Sequence, residues 1–499
     1  MEIKKMICAG AILLSFMACS QDDVMTDPQG GNASGEGAYM SLAISMPNGT
    51  PGTRAIDPGS HGTEAGTDGE QKVTSLLVLC YDATSGEAIS GYKKDYLAAD
   101  LVPMNPNPSD NTKATIYVVP EFKIAKGPKK VVVIVNPLEN QFSETTSLTF
   151  MRTAMSLSTD QITSISTNNN FLMTNANDAV NQDVDGGKVS ITPKQNGEFY
   201  EDGSVYVDVQ GTKEHPTNVT IPVERVVAKI QDVTNNNNYE FNVEVDGTPN
   251  GEKVTFTNVA LINGNTKFYP IKNIRNSNTE GKNDYVVDPN FSETEQKVTD
   301  FYSKIFKVTE TETKTDAVFK ELTSKPIFYT LENTMHKDQQ MNGYTTGLYY
   351  KAVYTANGGN KGENVYKYLG KVYNFTQLGQ LSDLKLEVPA EGENQKIMLE
   401  DKSSAADFAK IGVTKYENGV CYYPYWIRHV PSPSVVMDVM EFGVVRNNVY
   451  KMTINSVKGI GTPDPENPDP GTPDETDDVI LQVSVKVLPW TVRNNQIDF

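Results

Sequence analysis

The chain has 499 residues, a formal net charge of −19 and 38% hydrophobic residues. That length supports two or more domains, each with its own core, and the charge sets the surface against nucleic acid and anionic membranes as partners. Plentiful Gly, Pro and Asn at moderate hydrophobicity indicate a globular, turn-rich chain leaning to β-structure.

The first stretch, MEIKKMICAGAILLSFMACSQDD, opens with Lys4 and Lys5 and continues in an apolar run from Met6 to Ala18. The run is too short to span a bilayer as a mature helix and reads as a secretory signal. Ala18 stands directly before Cys19, as in a bacterial lipoprotein signal whose cysteine is lipidated and becomes the new N-terminus; Phe16 stands where leucine is usual. Residues 1–18 are therefore expected to be the signal peptide and Cys19 the lipidation site. Cys8 leaves with the signal, while Cys80 and Cys421 lack metal-ligand spacing and are expected as buried free thiols.

Residues 21–37 form a polar, glycine-rich spacer. In AYMSLAISMP, Met40, Leu42, Ile44 and Met46 share one face at period two, the mark of a half-buried strand. A Gly/Pro/Thr-rich loop follows, Pro47 to Gln71, with Arg54 in a stretch of the kind proteases nick. Core and half-buried strands are then expected at 72–81, 114–119, 130–136, 204–209, 219–233, 239–245, 254–262, 327–333, 347–354, 420–430 and 442–457, with a helix in 145–158. Short strands between turn signals, without a sustained strand–helix alternation, argue an all-β chain of β-sandwiches. A boundary near Pro222 to Arg225 gives two bodies of domain size.

No signature of catalysis or metal binding appears. His61, His215, His336 and His429 lack ligand spacing to one another or to cysteine, and no nucleophile elbow, P-loop, zincin or dinucleotide motif is present. NQDVDGG, 181–187, begins like a calcium loop, but Thr192 occupies the position that needs a bidentate glutamate, and the turn reading prevails. Tyr422, Tyr423, Tyr425 and Trp426 have the chemistry to stack on sugar, and equally to fill a sandwich core. The expectation is no enzyme, no cofactor and no metal.

The last strand signal stands apart. Leu481, Val483, Val485 and Val487 share one face, repeating the pattern of the first strand, and they follow a proline-rich acidic stretch, 459–478. Four such side chains are worth roughly 6–12 kcal/mol gross when buried, and an unpaired strand of this kind is a liability. Extended at about 3.1 Å per residue, the stretch reaches roughly 60 Å, far enough to meet a neighbouring molecule, while folding back onto its own chain stays open as well.

RVVAKI, ALINGNTKFYPI, FYTLENT, YYPYWIRH, FGVVRNNVYKMTINSVKGIGTP and VSVKVLPW together resemble the Bacteroidales type V pilins, in particular the minor (short) fimbria shaft subunit family of Porphyromonas and Bacteroides. The likeness runs from the lipoprotein signal to Phe499, and the FGVVRNNVYKMTINSVKGIG block followed by a tethered VKVLPW strand is its specific part. The resemblance implies two transthyretin-like β-sandwich domains with a tethered C-terminal donor strand. It implies a propeptide at 19–54 carrying the first strand, sandwiches at 55–222 and 223–458, a tether at 459–478 and a donor strand at 479–499. By the same resemblance, an arginine-specific or trypsin-like protease is expected to cut after Arg54, leaving Ala55 as N-terminus, and loss of the strand carrying Met40, Leu42, Ile44 and Met46 is expected to open a groove. The resemblance further implies that Leu481, Val483, Val485, Val487 and Trp490 of another copy fill it, and that repetition builds a homopolymer with anchor and tip pilins, supporting adhesion and biofilm formation at the cell surface. Membrane contact is through the lipid of the outer-membrane precursor only. The rival expectation is a surface-anchored glycan-binding lipoprotein that does not polymerise; a β-sandwich hydrolase is disfavoured by the missing motifs.

Overall fold

Period-two sequence becomes strand along most of the chain, and the fold is all-β, in two sheet domains of β-sandwich type. The computed structural model describes residues 37–45, 64–83, 88–104, 116–143, 145–166, 170–176, 195–200, 202–236, 238–275, 285–291, 301–302, 305–309, 312–315, 318–390, 395–429, 437, 440–465, 468–475 and 480–491. Cys19, Met46, Arg54, Ala55, His61 and the 181–187 loop lie outside them.

The first sheet is built from β1 (Gly37–Ser45), β3 (Ser75–Asp82), β4 (Ala88–Leu97), β5 (Val102–Met104), β6 (Ile116–Ala125), β7 (Gly127–Val135), β8 (Met173–Asn175), β9 (Val205–Val209) and β10 (Thr217–Arg225). Its order is β4-β3-β7-β8-β10-β1-β6-β5, with β9 also beside β7. β3 and β7 read apolar on both faces because both faces are covered: Leu76 to Tyr81 and Val131 to Val135 are fully buried. β7 ends at Asn136, which takes a left-handed backbone (φ 51) and accepts from Thr74 N–H at 2.8 Å through its side chain.

Of the helix expected in 145–158 only a single turn forms, α1 (Leu148–Met151); Met155 and Ser156 are extended and pair with Phe268 and Lys267, and a second short helix, α2 (Thr159–Ser164), begins beyond the expected range. Ser147 and Ser158 each accept from the N–H three residues on, so each starts a separate helix. Likewise the run 219–233 is two strands: β10 ends at Arg225, and after Val226 β11 (Val227–Asp232) begins in the second sheet.

The second sheet holds β2 (Glu64–Ala65), β11, β12 (Glu240–Val245), β13 (Thr248–Ile262), β14 (Ile327–Leu331), β15 (Gly347–Thr355), β19 (Val420–Trp426), β20 (Asn448–Val457) and β21 (Leu481–Thr491). Its order is β2-β21-β20-β12-β13-β15-β19, with β11 between β14 and β20. At the β19 edge, Tyr422 turns its N–H and C=O outward to Thr462 at 2.9 and 3.0 Å. Two residues on, Pro424 turns the same way, so its missing donor falls on the open side, a common defence of an edge strand.

Between β15 and β19 lies an insert that the sequence reading did not separate. It contains β16 (Val365–Tyr368), β17 (Lys371–Tyr373), α3 (Phe375–Gly379), α4 (Ala405–Ala409) and β18 (Thr414–Tyr416). Tyr366, Leu378, Val388, Leu399, Phe408 and Val413 form its own small core. Asn374 and Ser404 cap its two helices.

Where the sheet domains meet, charges are buried in pairs. Arg446 and Glu332, both wholly buried, share two contacts of 2.7 and 2.5 Å, and Arg446 also donates to the carbonyls of Tyr269 and Pro270. Burial works against the Arg446 charge, yet Glu332 beside it holds its pKa above the ordinary arginine value. Lys272 sits 2.9 Å from buried Glu224, whose carboxyl burial pushes up.

Candidate functional site

β1 lies in the middle of its sheet. It runs parallel to β10, from Met40 opposite Thr217 to Ser45 opposite Pro222, and antiparallel to β6, from Gly37 opposite Ala125 to Ile44 opposite Tyr117. Ala38, Met40, Leu42 and Ile44 are at most 4% exposed, so the face expected from the sequence is the core face. The slot's walls carry Val119, Phe122, Val219 and Ile221, all in the same core. Without β1, the sheet order leaves β6 and β5 with no link to the remaining strands.

β21 is paired within its own chain. It runs antiparallel to β20, from Leu481 opposite Val457 to Pro489 opposite Asn448. Leu481 is buried and Val483 and Val485 pack half-buried on the second core, while Gln482, Ser484 and Lys486 face outward. The expected alternation is present; Val487 and Trp490 are placed by backbone register only, opposite Tyr450 and Glu64. Along its outer edge β21 meets β2 alone among the described residues, and only at Trp490 and Thr491.

The stretch 459–478, read from the sequence as a tether able to reach a neighbour or to fold back, is bound to the body wherever it is described at length. Tyr423 and Tyr416 donate their hydroxyls to the carbonyls of Gly459 and Gly461 at 3.0 and 2.9 Å. Asn342 N–H donates to Thr472 O at 2.9 Å, and Arg428 holds Glu475 at 2.6 Å. The physical reason is that extended, proline-rich backbone has no internal partners and leaves its carbonyls open to such donors. At Gly461 any side chain would collide, since a Cβ there would stand 2.1 Å from Tyr422 O.

Between β19 and β21 lies a cleft of about 870 Å³, with Tyr422, Tyr425, Trp426, Arg428, Leu481 and Val483 among its walls. The aromatic run is mostly core: Tyr423 and Trp426 are buried, and Tyr423 packs 5.3 Å from Phe256. Cys80 and Cys421 are free and buried, and burial pushes both thiols up to about 12, which makes them poor nucleophiles. No group of three metal-ligating side chains exists among the described residues.

His429 is a buried base outside any reactive cluster. Tyr450 Oη accepts from Val445 N–H at 2.8 Å and shares a hydrogen bond of 2.6 Å with His429 Nδ1. Burial lowers its pKa from 6.5 to about 4. An unfolded chain therefore takes up a proton below pH 6.5 that the folded one refuses, so stability present above pH 6.5 is lost as pH falls towards 4. The loss through this group is about 3 kcal/mol. Urea midpoints measured from pH 7 to pH 4 are expected to fall accordingly, and to fall less in His429→Gln.

The sequence-expected site residues that are described fall at two separate places, the β1 slot and the β20–β21 edge, one in each sheet, while Cys19, Met46, Arg54 and Ala55 lie outside the described residues. Sequence reading missed the partner of β21, its contact with β2 and the docking of 459–475. Only the tyrosines of YYPYW, with hydroxyls seeking acceptors, hinted at the last.

Residues 38–245 match the family described as major fimbrial subunit protein (FimA), and residues 414–496 match the one described as major fimbrial subunit protein type IV, fimbrillin, C-terminal. Both are families of structural, non-catalytic proteins. No curated protein matches the chain. Among solved structures, one described as a cell adhesion protein of Parabacteroides distasonis is 15% identical, covering 91% of this chain and 100% of that one, with a TM-score of 0.44. Another so described, from Bacteroides eggerthii, is 14% identical over 93% and 99%, with a TM-score of 0.42. The tip fimbrial protein Mfa3 of Porphyromonas gingivalis, truncated at its C-terminus, is 12% identical over 91% and 100%, with a TM-score of 0.37.

Proposed function

We propose that this chain, a FimA-like fimbrial subunit in the two regions just matched, is a shaft subunit of the minor (short) kind in a cell-surface fimbria. It is exported as an outer-membrane lipoprotein through Cys19 and folds with β1 in place, in two transthyretin-like domains at 55–222 and 223–458. A trypsin-like or arginine-specific protease cuts after Arg54. The propeptide 19–54 leaves with β1, and β21 of another copy enters the slot. Anchor and tip pilins bound the polymer, which supports adhesion and biofilm formation.

The observation that carries this reading is the contrast between the two strands. Both alternate apolar and polar at period two, but β1 has a strand neighbour along both edges, whereas β21 has one along most of its length. A strand moving from the second position to the first gains a second ladder of main-chain hydrogen bonds. While β1 is covalently attached it competes at millimolar-scale effective concentration, so exchange waits for the cut. A head-to-tail contact of this kind does not close on itself and gives filaments.

The test is limited trypsin treatment of the chain from Gln21, with N-terminal sequencing and negative-stain imaging. A new N-terminus at Ala55, followed by filaments that vanish when residues from 479 onward are deleted, is expected. Stable monomers after a clean cut at Arg54 would overturn the reading.

A further inference from the structure

The two residues of β2 lie nine residues downstream of Ala55's own cleavage bond, counting from 55 to 63, and they are the first described residues after it. They touch the end of the strand that the proposed exchange must free. Glu64 pairs in parallel register with Trp490 and Ala65 with Thr491. Just beyond, the chain is held firmly. Buried Glu70 accepts from Lys229 Nζ at 2.8 Å, Tyr329 Oη at 2.7 Å and Thr67 N–H at 2.6 Å, and its carbonyl accepts from Arg225 at 2.8 Å.

The β20–β21 ladder contains a conflict at this place. Lys451 and Lys486 stand directly opposite each other, and like charges so placed weaken a strand pair. Glu64 Oε2 lies 2.9 Å from Lys451 Nζ and supplies the missing negative charge from β2. β21 is therefore held at its far end by a backbone contact and by a charge that both belong to the segment following the protease-sensitive loop.

We propose that β2 is a latch on β21: Glu64 and Ala65 keep the C-terminal strand on its own sheet until the upstream loop is cut. The inference rests on the strand-exchange reading and adds its timing. In the uncut chain β2 is covalently continuous with β1 upstream and is followed by the Glu70 anchor downstream. After the cut it belongs to an N-terminal arm anchored downstream at Glu70 and paired with β21 at Glu64 and Ala65, and such arms fray. Fraying withdraws Glu64, restores the Lys451–Lys486 repulsion and loosens the donor. One proteolytic event thus opens the acceptor slot and loosens the donor strand of the same molecule.

Hydrogen–deuterium exchange of amides 481–491 tests this, at a dilution that prevents assembly, on the whole uncut chain, the uncut Glu64→Gln chain and the chain cut after Arg54. The variant and the cut chain are expected to exchange about fivefold faster than the uncut chain, the scale of one cross-strand charge contact, while amides 37–45 of uncut Glu64→Gln are unchanged. In a Lys486→Glu background, Glu64→Gln is expected to give no acceleration, because the Lys451–Lys486 repulsion that Glu64 offsets is gone. Equal protection of 481–491 before and after the cut overturns the latch, as does an unaltered Glu64→Gln effect in Lys486→Glu. Imaging the same cut chain at assembly concentration separates the two readings. Faster exchange without filaments keeps the latch and rejects strand exchange; filaments without faster exchange do the reverse.

Discussion

A chain carrying Thr453→Cys and Ser484→Cys, once oxidised, is expected to be cut after Arg54 as readily as the natural sequence and to form no filaments at all. Thr453 and Ser484 are opposed in the β20–β21 register and face away from the core. Opposed residues of an antiparallel pair place their Cβ atoms about 4.5–5.5 Å apart, close enough for a disulfide after a small adjustment. The bridge fixes β21 at home and leaves the β1 slot, the cleavage loop and both cores as they were. Reduction is expected to restore assembly, which separates a locked donor from a damaged fold. Negative-stain counts of filaments with and without reductant make the measurement. Filaments from the fully oxidised, cut chain would show that β21 is not the donor.

Glu332→Ala is expected to lower stability by about 3–5 kcal/mol, the usual result of stripping one partner from a buried ion pair. Arg446 is wholly buried, and its contacts with Glu332 fix the guanidinium across the carbonyls of Tyr269 and Pro270. Losing the carboxylate leaves a charge with no route to water. The loss is a large share of what typically holds a domain folded. Glu332→Leu with Arg446→Met is expected to recover most of it, because paired removal abandons no charge. Urea unfolding of the natural chain, Glu332→Leu, Arg446→Met and their double variant gives the coupling, and a cost under about 1 kcal/mol for Glu332→Ala would mean the pair is screened as at a surface.

Period two is a local signal, and it placed the strands well. It set Met40, Leu42 and Ile44 on a core face, separated Leu481 and Val483 from Gln482 and Ser484, and marked β3 as apolar on both sides. It does not say which strand lies alongside. Nothing within AYMSLAIS reveals a parallel neighbour almost two hundred residues later, and nothing within LQVSVKV distinguishes its own β20 from another copy's slot. The insert between β15 and β19 escaped for a related reason. Its core is assembled from single residues on short elements, Tyr366, Leu378, Val388 and Phe408, too sparse to raise a periodic signal. The helix expected across 145–158 shrank to α1 because the chain leaves the helix at Arg152 and Met155–Ser156 pairs as a strand with Lys267–Phe268, a partner more than a hundred residues away that local spacing does not reveal. The Lys451–Lys486 conflict and its relief by Glu64 depend on three segments meeting and were beyond any reading of the chain in one dimension.

The place of β1 between β10 and β6 also bears on mechanics. A strand seated there and pulled along its own axis loads two ladders in shear, so their hydrogen bonds must yield together rather than one after another. Survival under pull is set by the rate of rupture rather than by equilibrium affinity. β21 in its own sheet is the opposite case, since for most of its length a single ladder on one side lets it peel from an end. The same segment would then be easy to draw out of a lone subunit and hard to draw out of a fibre under flow.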